Sequence, residues 1–198
     1  KDQAWKDLHK LTQDEESDVR SRAADALGSA FSQVPDKDQA WKDLRKLTQD
    51  ENIHVRLSAA GALGAAFSQV PDKDLAWKDL HKLTQDEDSY ARGRTAYALG
   101  AAFSQVPDKD QAWKDLRKLT QEENSYVRWN AAGALGSAFS RVPDKDQAWK
   151  DLHKLTQDED SYVRLSAASA LGVAFSQVPD KDQAWKDLHK LTQDEESD

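Results

Sequence analysis

Apolar and polar residues follow a pattern that repeats every 36 residues along the chain. Trp recurs at this interval from Trp5 to Trp185, and Pro recurs at the same interval from Pro35 to Pro179. The spacing predicts one repeat domain with units 1–36, 37–72, 73–108, 109–144 and 145–180, followed by a half unit at 181–198. A period of roughly 20 to 50 residues is typical of solenoids and propellers.

The first half of each unit has the spacing of an amphipathic helix. In the second unit, Trp41, Leu44 and Leu47 fall on one helical face. Asp36 precedes this segment and Gln39 follows Asp36 by three residues, which is the spacing of a capping box. The pattern therefore predicts a helix that begins after Asp36 and buries its Trp and Leu side chains.

The second half of each unit predicts another helix. In the second unit Asn52 is a suitable N-cap, and Val70 and Pro71 are expected to end the segment. The predicted buried stripe consists of small and aliphatic residues: Val55, Ala59, Ala62, Leu63 and Ala66. No segment alternates with a period of two, so the expected fold class is all-α, an α-solenoid of stacked helical hairpins.

The second helix also carries a recognisable motif. The run Val163-Arg164-x-x-Ala167-Ala168-x-Ala170-Leu171-Gly172 and its four counterparts resemble the second-helix signature of HEAT-like repeats. This resemblance covers all five units and the half unit. It implies a right-handed superhelix whose concave face is lined by the second helices.

Differences between the nearly identical units concentrate on five positions of the second helix. These are unit positions 18, 21, 22, 25 and 29, and we call them the variable face. At about 100° per residue they span an arc about 100° wide, whose centre lies roughly 130° from that of the buried stripe. The outer faces of the first helices hardly vary. We therefore expect the variable face to be mainly solvent-facing and to carry the function.

Aromatic residues outside the 36-residue pattern lie on the variable face. All four Tyr of the chain are there, together with Trp129, the one Trp outside the pattern. Tyr and Trp are enriched at energetically dominant interface positions, so this arrangement predicts a protein-binding surface. The first unit is polar on this face, which is typical of an end unit. The predicted partner-binding residues are His54, Leu57, Tyr90, Arg94, Tyr97, Tyr126, Trp129, Asn130, Tyr162 and Leu165. The alternative is that a surface Tyr merely covers a neighbouring first helix.

The glycines fall into two groups. Three lie on the variable face, at Gly61, Gly93 and Gly133, where each costs about 0.8–1 kcal/mol relative to Ala in a helix interior. We expect these three to fit a partner's shape or to belong to a randomised set. The other five occupy unit position 28 and are expected to let neighbouring helices approach closely: Gly28, Gly64, Gly100, Gly136 and Gly172.

Composition narrows the function further. The net charge of −8 weighs against a nucleic-acid partner, which needs a basic footprint. No apolar run is long enough to predict a membrane span or a signal peptide, so we expect a soluble chain without a membrane partner, cytoplasmic if the protein is natural. The chain has no Cys, which excludes disulfides and thiol chemistry. The apolar fraction of 38% suits a thin solenoid.

No cofactor or metal site is predicted. Four His share unit position 9 with two Arg: His9, Arg45, His81, Arg117, His153 and His189. Arg in alternate units argues against metal ligands, so these are expected to be exposed helix residues. His54 has no His or Cys partner on its stripe. Acidic runs such as Asp14-Glu15-Glu16 lack the spacing and the glycine of an EF-hand.

Three functional classes remain for the chain. A fixed framework with localised diversity most resembles artificial HEAT-like repeat binders of the alphaRep type, which predicts an engineered protein that binds a protein partner. A natural HEAT-like array that acts as an assembly scaffold is the alternative, and the pattern of synonymous changes in the DNA repeats would discriminate the two. A lyase or glycosylase on a HEAT-like fold is the third class, and no convergent catalytic site favours it. Partly exposed Trp5 and Trp185 at the two ends predict possible end-to-end self-association.

Overall fold

The computed structural model describes residues 2–194, which form an α-solenoid of eleven α helices without a strand. First helices are α1 (Asp2–Leu11), α3 (Lys37–Leu47), α5 (Lys73–Leu83), α7 (Lys109–Leu119), α9 (Lys145–Leu155) and α11 (Lys181–Asp194). Second helices are α2 (Ser17–Ala30), α4 (Ile53–Ala66), α6 (Ser89–Ala102), α8 (Ser125–Ala138) and α10 (Ser161–Ala174). A 3₁₀ turn at Phe175–Gln177 follows α10. The last four residues of the predicted half unit lie outside the described residues.

Helix starts follow the capping residues in the sequence. Asp36 accepts a hydrogen bond from the backbone N–H of Gln39 at 2.9 Å, and Asn52 accepts one from the backbone N–H of His54 at 2.9 Å. The capping box is only half formed, because the Gln39 side chain donates to Asp43 instead of returning to Asp36. The second helix ends at Ala66, four residues before Val70.

A main hydrophobic core runs through the stack, and Ala132, Leu155, Val163 and Ala167 form a second, smaller cluster. The predicted stripe of α4 is buried, and so are Trp41, Leu44 and Leu47 of the preceding first helix. Phe67, the residue after α4, is buried as well. Each unit therefore contributes one face of each helix and a terminal Phe to a core that continues through its neighbours.

Second helices pack directly against one another from unit to unit, while consecutive first helices lie farther apart. Glycine makes this close approach possible. A Cβ atom added to Gly28 would lie 2.5 Å from the Cα atom of Ala62, and one added to Gly64 would lie 2.7 Å from that of Ala98. Gly100 and Gly136 meet the next unit in the same way. The expectation was wrong for Gly172, because no further second helix packs against α10 within the described residues and the space beside this glycine is open.

Arginine–carboxylate pairs connect consecutive units beside the second helices. Arg20 binds Asp50 with both Nε and Nη2, and Arg56 binds Asp86 in the same way. Burial raises the pKa of the Asp86 carboxyl, but the Arg56 hydrogen bonds, the backbone N–H of Asp88 and the arginine charge outweigh it and hold the pKa below its ordinary value. The pKa values of Asp50 and Asp158 are lowered by the same balance.

The His and Arg residues at unit position 9 were expected to be exposed, but the first five of them are half-buried. Each of the first five bonds the buried Asp of the next first helix: His9 bonds Asp43, Arg45 bonds Asp79, His81 bonds Asp115, Arg117 bonds Asp151 and His153 bonds Asp187. His and Arg alternate here because both place a ring or guanidinium nitrogen on the same carboxylate. His189 is exposed, since no further first helix packs against α11 in the described part of the chain.

The C-terminal half unit covers the last unit only in part. Leu188 packs on the core, and Ala184 is fully buried. Trp185 remains 65% exposed, whereas the four Trp of the internal first helices are 6–8% exposed. Its ring touches Phe175 edge-on, with ring centroids 6.4 Å apart. This partial exposure of Trp185 agrees with the expectation from the sequence.

Candidate functional site

The variable face is largely exposed, as its pattern predicted. Tyr90 and Tyr97 are each 56% exposed, Trp129 is 40% exposed and Tyr162 is 70% exposed. Ser58 and Gly93 differ, because both are buried by side chains of a neighbouring second helix. The face therefore contains both free side chains and positions that serve contacts between units.

Four aromatic side chains lie side by side across α6, α8 and α10, and we call them the aromatic row: Tyr90, Tyr126, Trp129 and Tyr162. The ring centroids of Tyr90 and Tyr126 are 5.0 Å apart, and those of Tyr126 and Trp129 are 5.5 Å apart. Both pairs are tilted, an arrangement that aromatic rings prefer to a parallel sandwich. Ring contacts therefore join Tyr90 of α6 to two rings of α8, and Tyr162 of α10 lines a hollow together with those two rings.

A hollow of about 340 Å³ opens at one end of the aromatic row. It is lined by Tyr126, Trp129 and Tyr162, with Ser125 and Asp160 beside them. Asp160 is the N-cap of α10, and its carboxylate accepts hydrogen bonds from the backbone N–H groups of Tyr162 and Val163. The hollow therefore combines aromatic walls with one carboxylate.

The Asp160 carboxyl is held in its charged form. A hydrogen bond from Ser125 and those from the two backbone N–H groups keep its pKa below the ordinary value. Sequence reasoning missed Asp160 and Ser125, because both lie outside the five variable positions. The signal was present, since Asp160 stands at the N-cap position directly before the variable helix.

Two of the three variable-face glycines accommodate residues of the next unit. A Cβ on Gly93 would lie 2.6 Å from the ring of Tyr126, and a Cβ on Gly61 would lie 2.6 Å from Nε of Arg94. The space beside these two glycines is therefore filled by the chain itself and not left for a partner, while their membership of a randomised set stays a prediction. Gly133 has more room, with Oγ of Ser166 at 3.4 Å from an added Cβ.

Arg94 and Tyr97 form a second group on α6. The guanidinium carbon of Arg94 lies 5.6 Å from the centroid of the Tyr97 ring, within cation–π distance. Nε of Arg94 is buried over Gly61 and has no hydrogen-bond partner among residues 2–194. Arg94 is consequently held by packing and by the ring, and its side chain is half-buried.

The remaining predicted residues lie at different distances from the aromatic row. Asn130 supports it, because its side chain donates to the backbone oxygen of Tyr126 at 2.9 Å. Leu165 is 52% exposed on α10. His54 is exposed and Leu57 is half-buried, and both lie on α4, which contributes no ring to the aromatic row.

Groups that could bind a metal ion and helices that could span a membrane are both absent from the described residues. Within residues 2–194, no three His, Asp or Glu side chains are grouped closely enough to hold a metal ion. None of the helices in this part of the chain has both the length and the apolar character needed to cross a bilayer.

Comparisons with known proteins agree with this architecture. A family model described as HEAT repeats matches residues 5–99, 77–171 and 114–198. A comparison with curated proteins finds no match.

Solved structures with a similar fold include the crystal structure of an engineered protein, with 24% identity, a TM-score of 0.57, and coverage of 98% of this chain and 97% of that chain. A designed armadillo repeat protein in complex with the peptide (KR)4 has 22% identity, a TM-score of 0.61, and coverage of 84% and 80%. A chain from the Pds5–Scc1 complex has 14% identity and a TM-score of 0.60, with coverage of 93% of this chain and 31% of that chain. At these identities the likeness concerns the fold alone.

Proposed function

Because the chain belongs to the HEAT repeat family, we propose that it is a protein-binding scaffold that takes its partner on the variable face of the second helices. Second helices lie closer together than first helices, so the stack is expected to curve with the second helices on its concave side. A concave surface can surround an extended segment of a partner. The aromatic row on α6, α8 and α10 is the observation that carries this proposal.

The packing of the rings favours binding over a structural role. The ring of Tyr90 contacts that of Tyr126 on the next second helix, and Tyr90 and Tyr162 each keep more than half of their surface exposed. A Tyr that served only to cover a first helix would lie against that helix instead. Tyr and Trp offer large contact area at a small loss of conformational entropy, which suits them to anchor a partner.

The hollow indicates which side chain of the partner is held. Aromatic faces attract cations, and the charged Asp160 carboxylate lies beside Trp129 and Tyr162. The chain as a whole carries a net charge of −8, which favours approach by a basic segment. We therefore expect Lys or Arg of the partner to occupy the hollow. The designed armadillo repeat protein with a similar fold is in complex with the basic peptide (KR)4.

A selection experiment with random peptides tests this function, because it does not require the partner to be chosen in advance. Peptides displayed on phage are selected on the immobilised chain, and the enriched peptides are titrated against the wild type and Asp160→Asn. Asn is a safe replacement, because Asn124 caps α8 at the equivalent position. We expect enrichment of Lys and Arg, and binding to Asp160→Asn weakened several-fold, by roughly 1 kcal/mol.

Two outcomes would count against the proposal. If no peptide is enriched, the variable face does not bind extended segments. If the enriched peptides lack Lys and Arg, or bind Asp160→Asn as tightly as the wild type, the hollow does not select a cationic side chain.

A further inference from the structure

The two ends of the chain have the same sequence. Residues 181–198 repeat residues 1–18 without a single difference. In the structure α11 occupies the place of a first helix on α10, with Ala184 fully buried and Asp187 bonded to His153. Any helix with this sequence can make the same contacts on α10, and α1 has this sequence.

The layer of second helices is open at its C-terminal end. Gly28, Gly64, Gly100 and Gly136 each meet an Ala at unit position 26 of the next unit, whereas no described atom lies within 4 Å of a Cβ added to Gly172. The surface of α10 that would receive a further second helix is therefore complete but unoccupied within the described chain.

The N-terminal end presents the matching surface. Ala26 is exposed, although Ala62 and its counterparts in later units are at most 4% exposed. Ala4 and Asp7 are exposed as well, although Ala40 and Asp43 at the equivalent positions of the next unit are buried. In the later units, the preceding unit covers the residues at these positions.

We propose that the N-terminal hairpin of a second copy of this chain, α1 with α2, displaces α11 and continues the solenoid on α10. Ala4 of the incoming copy takes the place of Ala184, Asp7 takes the place of Asp187 beside His153, and Ala26 meets Gly172. The register follows from the 36-residue repeat, since Ala26 of the incoming copy then follows Ala170 by one unit.

The exchange favours the second copy for a structural reason. The contacts that α11 loses are replaced by those of an identical sequence, and the α2–α10 interface is gained in addition. Trp5 of the incoming copy is half-buried by α2, and α10 then covers it further, so that it resembles the internal Trp residues. The displaced Trp185 loses little by comparison, because it was already 65% exposed. Opposing this gain is the entropy lost on association, so assembly is expected to depend on concentration.

The contact is heterologous, because the tail of one copy receives the head of another. Such contacts do not close on themselves unless the rotation forms a ring, and they otherwise produce open chains. In this role α11 is a competitor in cis that keeps the chain monomeric at low concentration. This contact between copies involves the ends of the solenoid and does not depend on the variable face.

Ala4 and Ala184 are equivalent residues of the two identical end sequences, and the same substitution at each of them tests the proposal. Ala184→Asp weakens α11 on α10 and exposes the receiving surface, while Ala4→Asp alters a residue that is exposed in the monomer. Sedimentation velocity over a micromolar to millimolar range measures the assembly of each full-length variant, and circular dichroism monitors helicity. A third variant, Ala26→Arg, blocks the second-helix contact at another exposed residue.

We expect opposite effects from the two substitutions. Wild type associates as its concentration rises. Ala184→Asp associates at a concentration that is lower by roughly tenfold or by a larger factor. Ala4→Asp and Ala26→Arg remain monomeric, and each makes Ala184→Asp monomeric when combined with it. Association of the Ala184→Asp, Ala4→Asp double variant to the same extent as Ala184→Asp would overturn the proposal, because it would reveal non-specific aggregation. Wild type and Ala184→Asp that both stay monomeric would overturn it equally.

Discussion

At the scale of single residues, repeated units provide internal controls that a unique sequence lacks. Arg56 binds both oxygens of Asp86, and Arg128 binds both oxygens of Asp158. Glu replaces Asp at this position in one unit, where Arg92 reaches Glu122 through Nη2 alone. Nε of Arg92 is then buried without a hydrogen-bond partner among residues 2–194.

Glu122→Asp is expected to stabilise the protein. The shorter carboxylate allows the bidentate geometry of the other pairs and satisfies Nε of Arg92, for a gain of about 0.5–1.5 kcal/mol. Urea unfolding measures this free energy, and Glu123→Asp at the adjacent exposed residue is the matched control. An equal effect of both substitutions, or none from Glu122→Asp, would contradict this interpretation.

Residue-level predictions from the sequence failed where the cause lies in another unit. His9 was expected to be an exposed residue, but its partner Asp43 is 34 residues away in the next first helix. Gly93 was expected to fit a partner's shape or to belong to a randomised set, but the ring of Tyr126 occupies the space beside it. Patterns within one unit do not show such contacts, although a fixed Asp 34 residues after each His or Arg is a visible signal.

At the scale of helices, the periodic pattern was sufficient to predict where α4 begins and which of its residues are buried. The N-cap Asn52 and the buried stripe of α4 were both confirmed, because spacing and capping are local properties. The second helices differ in the residue that caps their N-terminus. α2 begins after Glu16, whose side chain caps no backbone N–H, whereas an Asn or Asp caps the other four second helices.

Glu16→Asn is expected to stabilise α2. Asn accepts a hydrogen bond from the Asp18 backbone N–H, as Asn52 does from His54, and such caps contribute about 0.5–2 kcal/mol. Amide hydrogen exchange in the first turn of α2 measures the effect, with Glu15→Asn as the control. Unchanged exchange at Asp18 in Glu16→Asn would show that the new side chain does not cap the helix.

At the scale of the whole molecule, stability is divided among similar interfaces, as in other repeat proteins. The repeat architecture was predictable from the 36-residue period, the all-α class from the helical spacing and the family from the second-helix motif, and the family match confirms the HEAT repeats. The right-handed superhelix and an engineered origin stay predictions. The open space beside Gly172 was less predictable, because contacts between second helices of different units appear only once the units are stacked.

Acid is expected to weaken all of these interfaces together. The pKa values of Asp50, Asp86 and Asp158 are lowered in the folded state, so their pairs stabilise the fold above the unfolded pKa of about 3.9. This stability is lost as the pH falls below about 4 and through the folded pKa values. Urea midpoints measured from neutral pH into this range should fall.

The variant Asp158→Asn isolates one of these pairs. The stability difference between wild type and Asp158→Asn should be largest near neutral pH and should shrink below about pH 4. A difference that stays constant in acid would show that the Arg128–Asp158 pair does not titrate as its geometry indicates.

The central claim, that the aromatic row on the second helices binds a protein segment, is tested most directly by one titration. Fluorescently labelled peptide from the phage selection is titrated with wild type, Trp129→Ala and Trp185→Ala, which remove exposed Trp side chains on and off the variable face. We predict that Trp129→Ala weakens binding by about 2 kcal/mol, roughly thirtyfold, while Trp185→Ala binds like the wild type. Equal binding by all three proteins would contradict the account.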